Sequence, residues 1–523
     1  MIINQLESEL DRLPMGWVTT TLGAIRSDVS RGILPSDTPE QVFDLYSIPN
    51  FPLREPEVLT GAAVGSNKQT TSPGTVLLSK INPRINRVWL VRPVDEHPQI
   101  ASTEWISFGP LQSLNAAYLA FYMQRNQFRD YLAANVSGVG GSLTRTNTAV
   151  IDRSSFPLPP LAEQRRIVTK IEELFSKLDA GVAELKRTRV LLKRYRQSVL
   201  HAAVTGELSR GWREAQGDKL EDAGHLLAHI LDERRARWAA SGKKGEYREP
   251  ESPKANSKFP LPKGWAWSTL DQITSSQPRS MQSGPFGSKL KHDEFQNEGF
   301  LVLGIDNVKN GTFSMGREHR ISKEKFEELK SFEARPLDFL IVVMASLGKS
   351  CVLPQNTERS VVTKHVYRVT VEGNIINPYF LNLCVMGHQY VLEQIYGSAQ
   401  GQTRPGLNKG ILQSVTVPVP YIEEQAYIIA EVERRLSILA NVEATVQAEL
   451  KRAESTRQGI LRRAFSGQLV PQDPSDQPAS VLLERIQAEK LAAGAASIRA
   501  GGKRGRKPKA ITQDTLLKAV NNS

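Results

Sequence analysis

Cysteine is nearly absent from this chain of 523 residues, which carries only Cys351 and Cys384. Neither belongs to a C-x-x-C pair. A disulfide framework and a cysteine-rich zinc site are therefore excluded, and both residues read as small buried hydrophobes in a reducing compartment. Long apolar runs are missing too, since no stretch reaches the roughly 18 residues of a membrane-spanning helix. The first residues include Glu7, Glu9 and Asp11, where a secretory signal would be basic and then apolar. These absences predict a cytoplasmic protein with no membrane part.

Catalytic motifs are lacking as well. Ser346-Leu347-Gly348-Lys349-Ser350 ends like a phosphate-binding loop, but the position that needs the earlier glycine holds Val343. Asn377-Pro378-Tyr379-Phe380 has only one proline of the N-P-P-Y loop of adenine methyltransferases, and no cofactor-binding G-x-G follows a strand, so it reads as a helix start. His225 and His229 stand four apart, as two zinc ligands would. Leu226, however, holds the place of a zinc protease's glutamate, and no third ligand is at hand. No reaction follows from these residues.

What is present is base, in excess. The 67 Lys and Arg outnumber the 55 Asp and Glu for a net charge of +12, which fits a polyanionic partner. Hydrophobic residues at 40% and charged ones at 23% describe an ordinary soluble globular chain, and its length implies two to four domains.

The chain also repeats itself. Pro157 to Gln164 read P-L-P-P-L-A-E-Q, a long proline-free run follows, and Ala202 to Leu208 close it as A-A-V-T-G-E-L. From Pro418 the chain reads P-V-P-Y-I-E-E-Q, and the second run closes on R-A-F-S-G-Q-L at Leu469. Gln164 answers Gln425 and Gly206 answers Gly467, an offset of 261 in both cases. Leu13-Pro14-Met15-Gly16-Trp17 is answered by Leu261-Pro262-Lys263-Gly264-Trp265 at an offset of 248. The bodies therefore differ by about thirteen residues while the runs keep their length, and fixed length matters most in a spacer.

The resulting boundaries are a first body over 1–156, a first long helix over 157–209, and a short helix with a flexible linker over 210–260. A second body over 261–416, a second long helix over 417–470, and a short helix with a basic tail over 471–523 complete the chain. Within the bodies, 74–92 reads as a hairpin turning at Asn-Pro, 300–305 and 338–345 as buried strands, and 115–132 and 378–395 as helices. Inside the first long run Ile171, Leu178, Leu185, Leu192 and Val199 recur every seven residues, with Ile167, Leu174 and Tyr195 as companions. Val432, Leu439, Val446, Ala453 and Ile460 repeat the pattern, flanked by Ile428 and Val442, although Arg435 and Glu449 interrupt it. This is the apolar seam of a coiled coil, and the nearest partner for each helix is the other copy.

The positive motifs are basic and glycine-rich. Ser283-Gly284-Pro285-Phe286-Gly287-Ser288-Lys289-Leu290-Lys291 sets small residues beside two lysines, which lets a backbone approach a phosphate. Lys80, Arg84 and Arg87 cluster similarly in the first body. Lys503 to Lys509, with Arg504 and Arg506, resembles an arm that lies in a narrow minor groove. Arg145 and Arg404, just after the glycine-rich loops 137–141 and 397–401, and Lys349 complete the candidate DNA contacts.

In combination, the repeated P-L-P-P-L-x-E-Q and A-A-x-x-G-E-L motifs, the two L-P-x-G-W openings and G-P-F-G-S resemble one family over essentially the whole chain. It is the DNA specificity subunits of type I restriction-modification systems. The resemblance implies an α+β fold with two similar mixed α/β target recognition domains. A pair of long antiparallel coiled-coil helices separates them in a pseudo-twofold internal repeat. It implies a non-catalytic subunit in which each domain reads one half of a bipartite, asymmetric sequence in double-stranded DNA. The helices would dock two modification (methyltransferase) subunits, and restriction (translocase/nuclease) subunits would join that core. S-adenosylmethionine, ATP and magnesium would then be held by the partners, with no cofactor or metal on this chain.

Overall fold

The computed structural model describes residues 13–27, 30–93, 96–137, 144–242, 244–254, 256, 258–397 and 406–501. Two compact units divide the chain: Met1–Leu185 with Ala448–Ser523, and Lys186–Gln447. Both boundaries fall inside long helices, because each helix runs unbroken for 44 residues, Leu161–Val204 and Ile422–Phe465. Each unit therefore gathers one body, the start of the helix that follows it, and the end of the helix from the other half of the sequence.

In the first unit Val18–Thr21 pairs antiparallel with Ser155–Leu158, which joins the body's beginning to its end. Between them lies a five-stranded sheet in the order Gly32–Ile33, Lys68–Thr70, Gln99–Ser102, Val42–Tyr46, Glu57–Thr60. Its Val42–Tyr46 and Gln99–Ser102 strands run parallel. The hairpin expected over 74–92 forms from Val76–Ser79 and Val88–Leu90, and Trp105–Phe108 adds a third strand.

The second unit repeats this plan. Ala266–Thr269 pairs with Thr416–Val419, Phe300–Leu303 runs parallel to Ser360–Val362, and the hairpin of Phe339–Val342 and Ser350–Val352 is joined by Val366–Val369. The two strands expected over 300–305 and 338–345 are both present. Ser346 to Ser350 turn this hairpin instead of linking a strand to a helix, so they lack the geometry of a phosphate-binding loop. Cys351 and Cys384 are buried free thiols, and burial pushes Cys351 up to about 12.

Each body helix is broken where the sequence pattern ran on. Ala116–Met123 and Asn126–Ala134 replace the single helix over 115–132, and Pro378–Gly387 and Gln389–Gly397 replace that over 378–395. Arg125 and His388 take extended backbone angles at the breaks, and both side chains are buried. The Arg125 guanidinium lies 4.1 Å from the ring centre of Tyr122 and 5.2 Å from that of Phe465. Asn115 and Asn377 cap their helices as expected, the first accepting from the amides of Ala117 and Tyr118, the second from that of Tyr379.

Both long helices take part in each unit. In the first, Ile167, Ile171 and Phe175 share a core with Leu461, Ala464 and Phe465, and Asp179 pairs with Arg457. In the second, Val199, Leu200 and Val204 share a core with Ile428 and Val432, and Arg196 pairs with Glu443 at 3.1 Å. Rising numbers meet falling ones, so the pieces are antiparallel. Ile171, Val199, Val432, Leu439 and Val446 are buried and Leu178, Leu185, Leu192 and Ile460 half-buried, as a two-helix seam requires. Tyr195 and Val442, expected beside the seam, are exposed instead. Arg196 and Glu443, one residue further on, are half-buried and pair with each other.

The segment read as a flexible linker is tied to the second body. Glu251 accepts from the Thr269 hydroxyl at 2.8 Å, and Lys254 from the Tyr390 hydroxyl at 3.0 Å, both through backbone carbonyls.

Candidate nucleic-acid interface

The repeated motifs build two junctions. At the start of the first long helix Glu163 and Gln164 are buried. Trp17 of the L-P-x-G-W opening donates its indole N–H to Glu163 at 2.9 Å. Gln164 accepts from the Asn115 amide at 2.9 Å and donates to the Pro159 carbonyl at 3.0 Å. The second unit repeats each bond: Trp265 to Glu424 at 2.9 Å, Asn377 to Gln425 at 2.7 Å, and Gln425 to the Pro420 carbonyl at 3.0 Å. The Trp, Glu and Gln thus fix the angle between body and helix.

The closing glycines complete the junctions from the other half of the sequence. Gly206 and Gly467 have φ of +76° and +72°, and a Cβ on them would strike Pro262 and Pro14 respectively. Only glycine suits both the left-handed backbone and the close approach. The short helices beyond them are held alike, with the Ala223 amide donating to the Gly264 carbonyl at 3.0 Å and that of Ala479 to Gly16 at 2.9 Å. One difference stands out. Arg213 and Ser209 both donate to Glu424, whereas the equivalent oxygen of Glu163 receives Gln472 at 3.2 Å. Burial, only partly offset by the Trp17 and Gln472 hydrogen bonds, holds Glu163 above the usual carboxylate range.

Away from the junctions, each body brings three loops to one place. In the first unit the Lys80 amide donates to the Glu104 carbonyl and the Thr146 amide to the Lys80 carbonyl, both at 3.0 Å, and Ile81 bridges to Arg145. In the second the Val343 amide donates to the His365 carbonyl at 2.9 Å and the Leu407 amide to the Val343 carbonyl at 3.1 Å, and Met344 bridges to Gly406. The matched residues lie 261 or 263 apart in sequence. Hairpin tip, strand turn and returning strand therefore form the same platform twice.

Lys80, Arg84, Arg87 and Arg145, more than sixty residues apart in sequence at the extremes, meet on the first platform. Asn82 and Asn86 turn the tip through left-handed φ of 48° and 51°, angles that asparagine tolerates better than most residues. Arg84 and Ile85 project from it exposed. Arg145 bonds Glu104 at 2.7 Å, and Arg87 donates to the Ile81 carbonyl at 3.3 Å, so these two are held while Arg84 faces outward. A basic tip with an apolar side chain can touch phosphates and a base edge together.

On the second platform Lys349 is exposed. Arg404, Arg504 and Arg506 lie outside the described residues. Ser283 and Gly284 lie inside: a Cβ on Gly284 would collide with the Val362 carbonyl. Their smallness packs chain on chain, and the exposed part of that motif is Phe286, Gly287, Lys289 and Lys291. Beside it opens a cleft of about 480 Å3 whose lining includes His292, Arg317, His319, Lys364 and His365. Phe295 and His319 stack there, 4.7 Å between ring centres. Burial and the adjacent Lys364 hold His365 below the usual imidazole range, so it is neutral near pH 7, a form with one ring nitrogen to donate and one to accept. Sequence reasoning missed these cleft residues. The one available signal was the 261 offset that sets His365 opposite Glu104.

His225 and His229 are exposed on the helix Ala223–Ala240. Among the described residues no group of three or more His, Cys, Asp or Glu could hold a metal ion, and no helix is long and apolar enough to cross a membrane.

No family model matches the chain. It is 27% identical over 382 residues to the type I restriction enzyme EcoBI specificity subunit of Escherichia coli, covering 72% of each chain. It is 24% identical over 402 residues to the StySPI specificity subunit of Salmonella potsdam, covering 74% of each. Among solved structures, one described as the structural basis of complex assembly and conformational transition of the type I R-M system matches with a TM-score of 0.61 at 19% identity. That match covers 87% of this chain and 99% of the other, and it shows the shared fold.

Proposed function

We infer that this chain belongs to the DNA specificity subunits of type I restriction-modification systems and reads its target with the two loop platforms, one per half-site. The observation that carries this reading is the platform built twice from the same backbone bonds but with different side chains. Arg84, Ile85 and Arg145 stand on one, and Lys349, Lys364 and His365 on the other. Equal scaffolds with unequal surfaces suit a bipartite, asymmetric sequence. The subunit is non-catalytic and works with other subunits of the system. Two modification subunits dock on the long helices, and restriction subunits join them in the cytoplasm. The partners bind S-adenosylmethionine, ATP and magnesium. The kept length of the long helices sets the gap between half-sites.

Single-molecule methylation sequencing of DNA exposed to this chain with its modification subunit tests the reading. The expected result is adenine methylation in a two-part sequence with a fixed gap. Methylation without sequence context, or turnover by the isolated chain with S-adenosylmethionine, would refute it. A scaffold that bridges proteins without touching DNA would give no salt-sensitive DNA retention, and it leaves the basic surface of both platforms without a use.

A further inference from the structure

Five large apolar side chains lie exposed on the long helices within the second unit, Val190 at 51% and, sharing one face, Leu191, Tyr195, Ile438 and Val442 at 53, 47, 52 and 39% exposure. Leu191 and Tyr195 are one turn apart on one helix, and Ile438 and Val442 one turn apart on the other. At 100° per residue, Tyr195 and Leu191 fall on one side of the seam residue Leu192, and Val442 and Ile438 on the matching side of Leu439. The antiparallel run makes these the same face. Glu431, and to a lesser degree the nearby Tyr195, hold Arg434 and Arg435, one turn before Ile438, above the usual guanidinium range. Arg194, Arg434 and Arg435 rim the face, and the last two share one carboxylate, Glu431.

The first unit holds the equivalent positions at the offset of 261, and they are polar. Leu191 and Tyr195 correspond to Arg452 and Thr456, and Ile438 and Val442 to Lys177 and Gly181. Lys177 is bonded to Glu173 at 2.7 Å and Arg452 to Glu449 at 3.0 Å. One of two equivalent helix faces is thus apolar at its centre with arginines at its rim, and the other holds ion-paired polar side chains at the central places themselves.

We propose that the face of Leu191, Tyr195, Ile438 and Val442 docks a protein surface with an apolar centre and an acidic rim, and that its counterpart does so much more weakly. On the reading above, on which this rests, that surface belongs to the modification subunit. Two copies of one partner then bind in two unequal steps, the second unit's face filling first. Exposed aliphatic groups around a tyrosine favour a protein over DNA, since phosphates gain nothing from Leu191 or Ile438, and a desolvated apolar centre supplies most interface energy.

The test is a titration of the modification subunit into the full chain, followed by native mass spectrometry and sedimentation velocity. The wild type is expected to fill two steps at least tenfold apart in Kd. Leu191→Ser with Ile438→Ser, at exposed positions, should weaken the first step on the order of a hundredfold with thermal unfolding unchanged. Placing the apolar set on the other face (Lys177→Ile, Gly181→Val, Arg452→Leu, Thr456→Tyr) should draw the two steps together. Equal steps in the wild type, or an unaltered first step in the double variant, overturn the proposal. A double variant that instead loses DNA affinity, or loses self-association of the chain, assigns the face to DNA or to a second copy and also overturns it. A wild type that binds no modification subunit at all refutes the functional reading itself.

Discussion

The same substitution at the two junctions should have unequal effects. Glu163→Gln and Glu424→Gln each remove one negative charge and keep a carbonyl oxygen for the tryptophan N–H, bonded at 2.9 Å in both units. At Glu424 the lost charge faces Arg213 and Ser209 in a buried site. A hydrogen bond to a charged group contributes about 1.5–3 kcal/mol, so the loss is about 2 kcal/mol, or roughly a thirtyfold rise in local opening. At Glu163 the partner opposite tryptophan is the neutral Gln472, and burial already disfavours the charge. Here the change should stay within about 0.5 kcal/mol of zero at pH 7, or stabilise. Because the folded carboxyl of Glu163 titrates above its unfolded value, the folded state binds more protons between those two values. Stability from this group then falls as pH rises through the window and is regained on acidification, so the gap between Glu163→Gln and wild type should close toward the ordinary glutamate value. Hydrogen exchange of peptides covering 159–168 and 420–429, at pH 7 and near pH 5, reads both effects. Equal protection losses in the two variants, or unchanged exchange in Glu424→Gln, would refute the reasoning.

Four further changes follow from the structure. Arg84→Ala or Lys289→Ala should weaken DNA binding and reduce the slope of log affinity against log salt by about one; an unchanged slope in a salt titration removes that residue from the contacts. One heptad inserted into each long helix adds about 10 Å, close to three base-pair steps, so methylation mapping should show a gap changed by about three base pairs with both half-sites kept, and new half-sites would contradict it. Gly206→Ala should destabilise by more than about 1 kcal/mol, because the left-handed backbone and the Pro262 approach both oppose a Cβ. Gly181→Ala, a helical position with nothing within 4 Å of the added carbon, should be neutral or stabilise by up to about 1 kcal/mol in chemical unfolding.

What could be read from the sequence was local or periodic. The caps at Asn115 and Asn377 act within three residues, and the apolar seam from Ile171 to Val199 follows one helix. Such features need no knowledge of what packs against them. The helix breaks at Arg125 and His388 lie against rings distant in sequence, Phe465 for the first and Phe259 and Trp267 for the second, and the pairing of Arg196 with Glu443 depends on each meeting the other. Neither partner lies within reach of a local pattern. The DNA platforms show the same division. The tip from Lys80 to Arg87 was visible as a basic turn, but its union with Arg145 is made by backbone bonds across more than sixty residues. The offsets did hold usable long-range information. L-P-x-G-W recurs at 248 and the helix motifs at 261, so the opening and the helices belong to blocks whose separation changed once between the halves. A glycine kept at a helix end in both blocks, each time near a proline of the opposite half's opening, is what a chain needs if each junction is built from both halves. That is the arrangement in which Gly206 meets Pro262 and Gly467 meets Pro14.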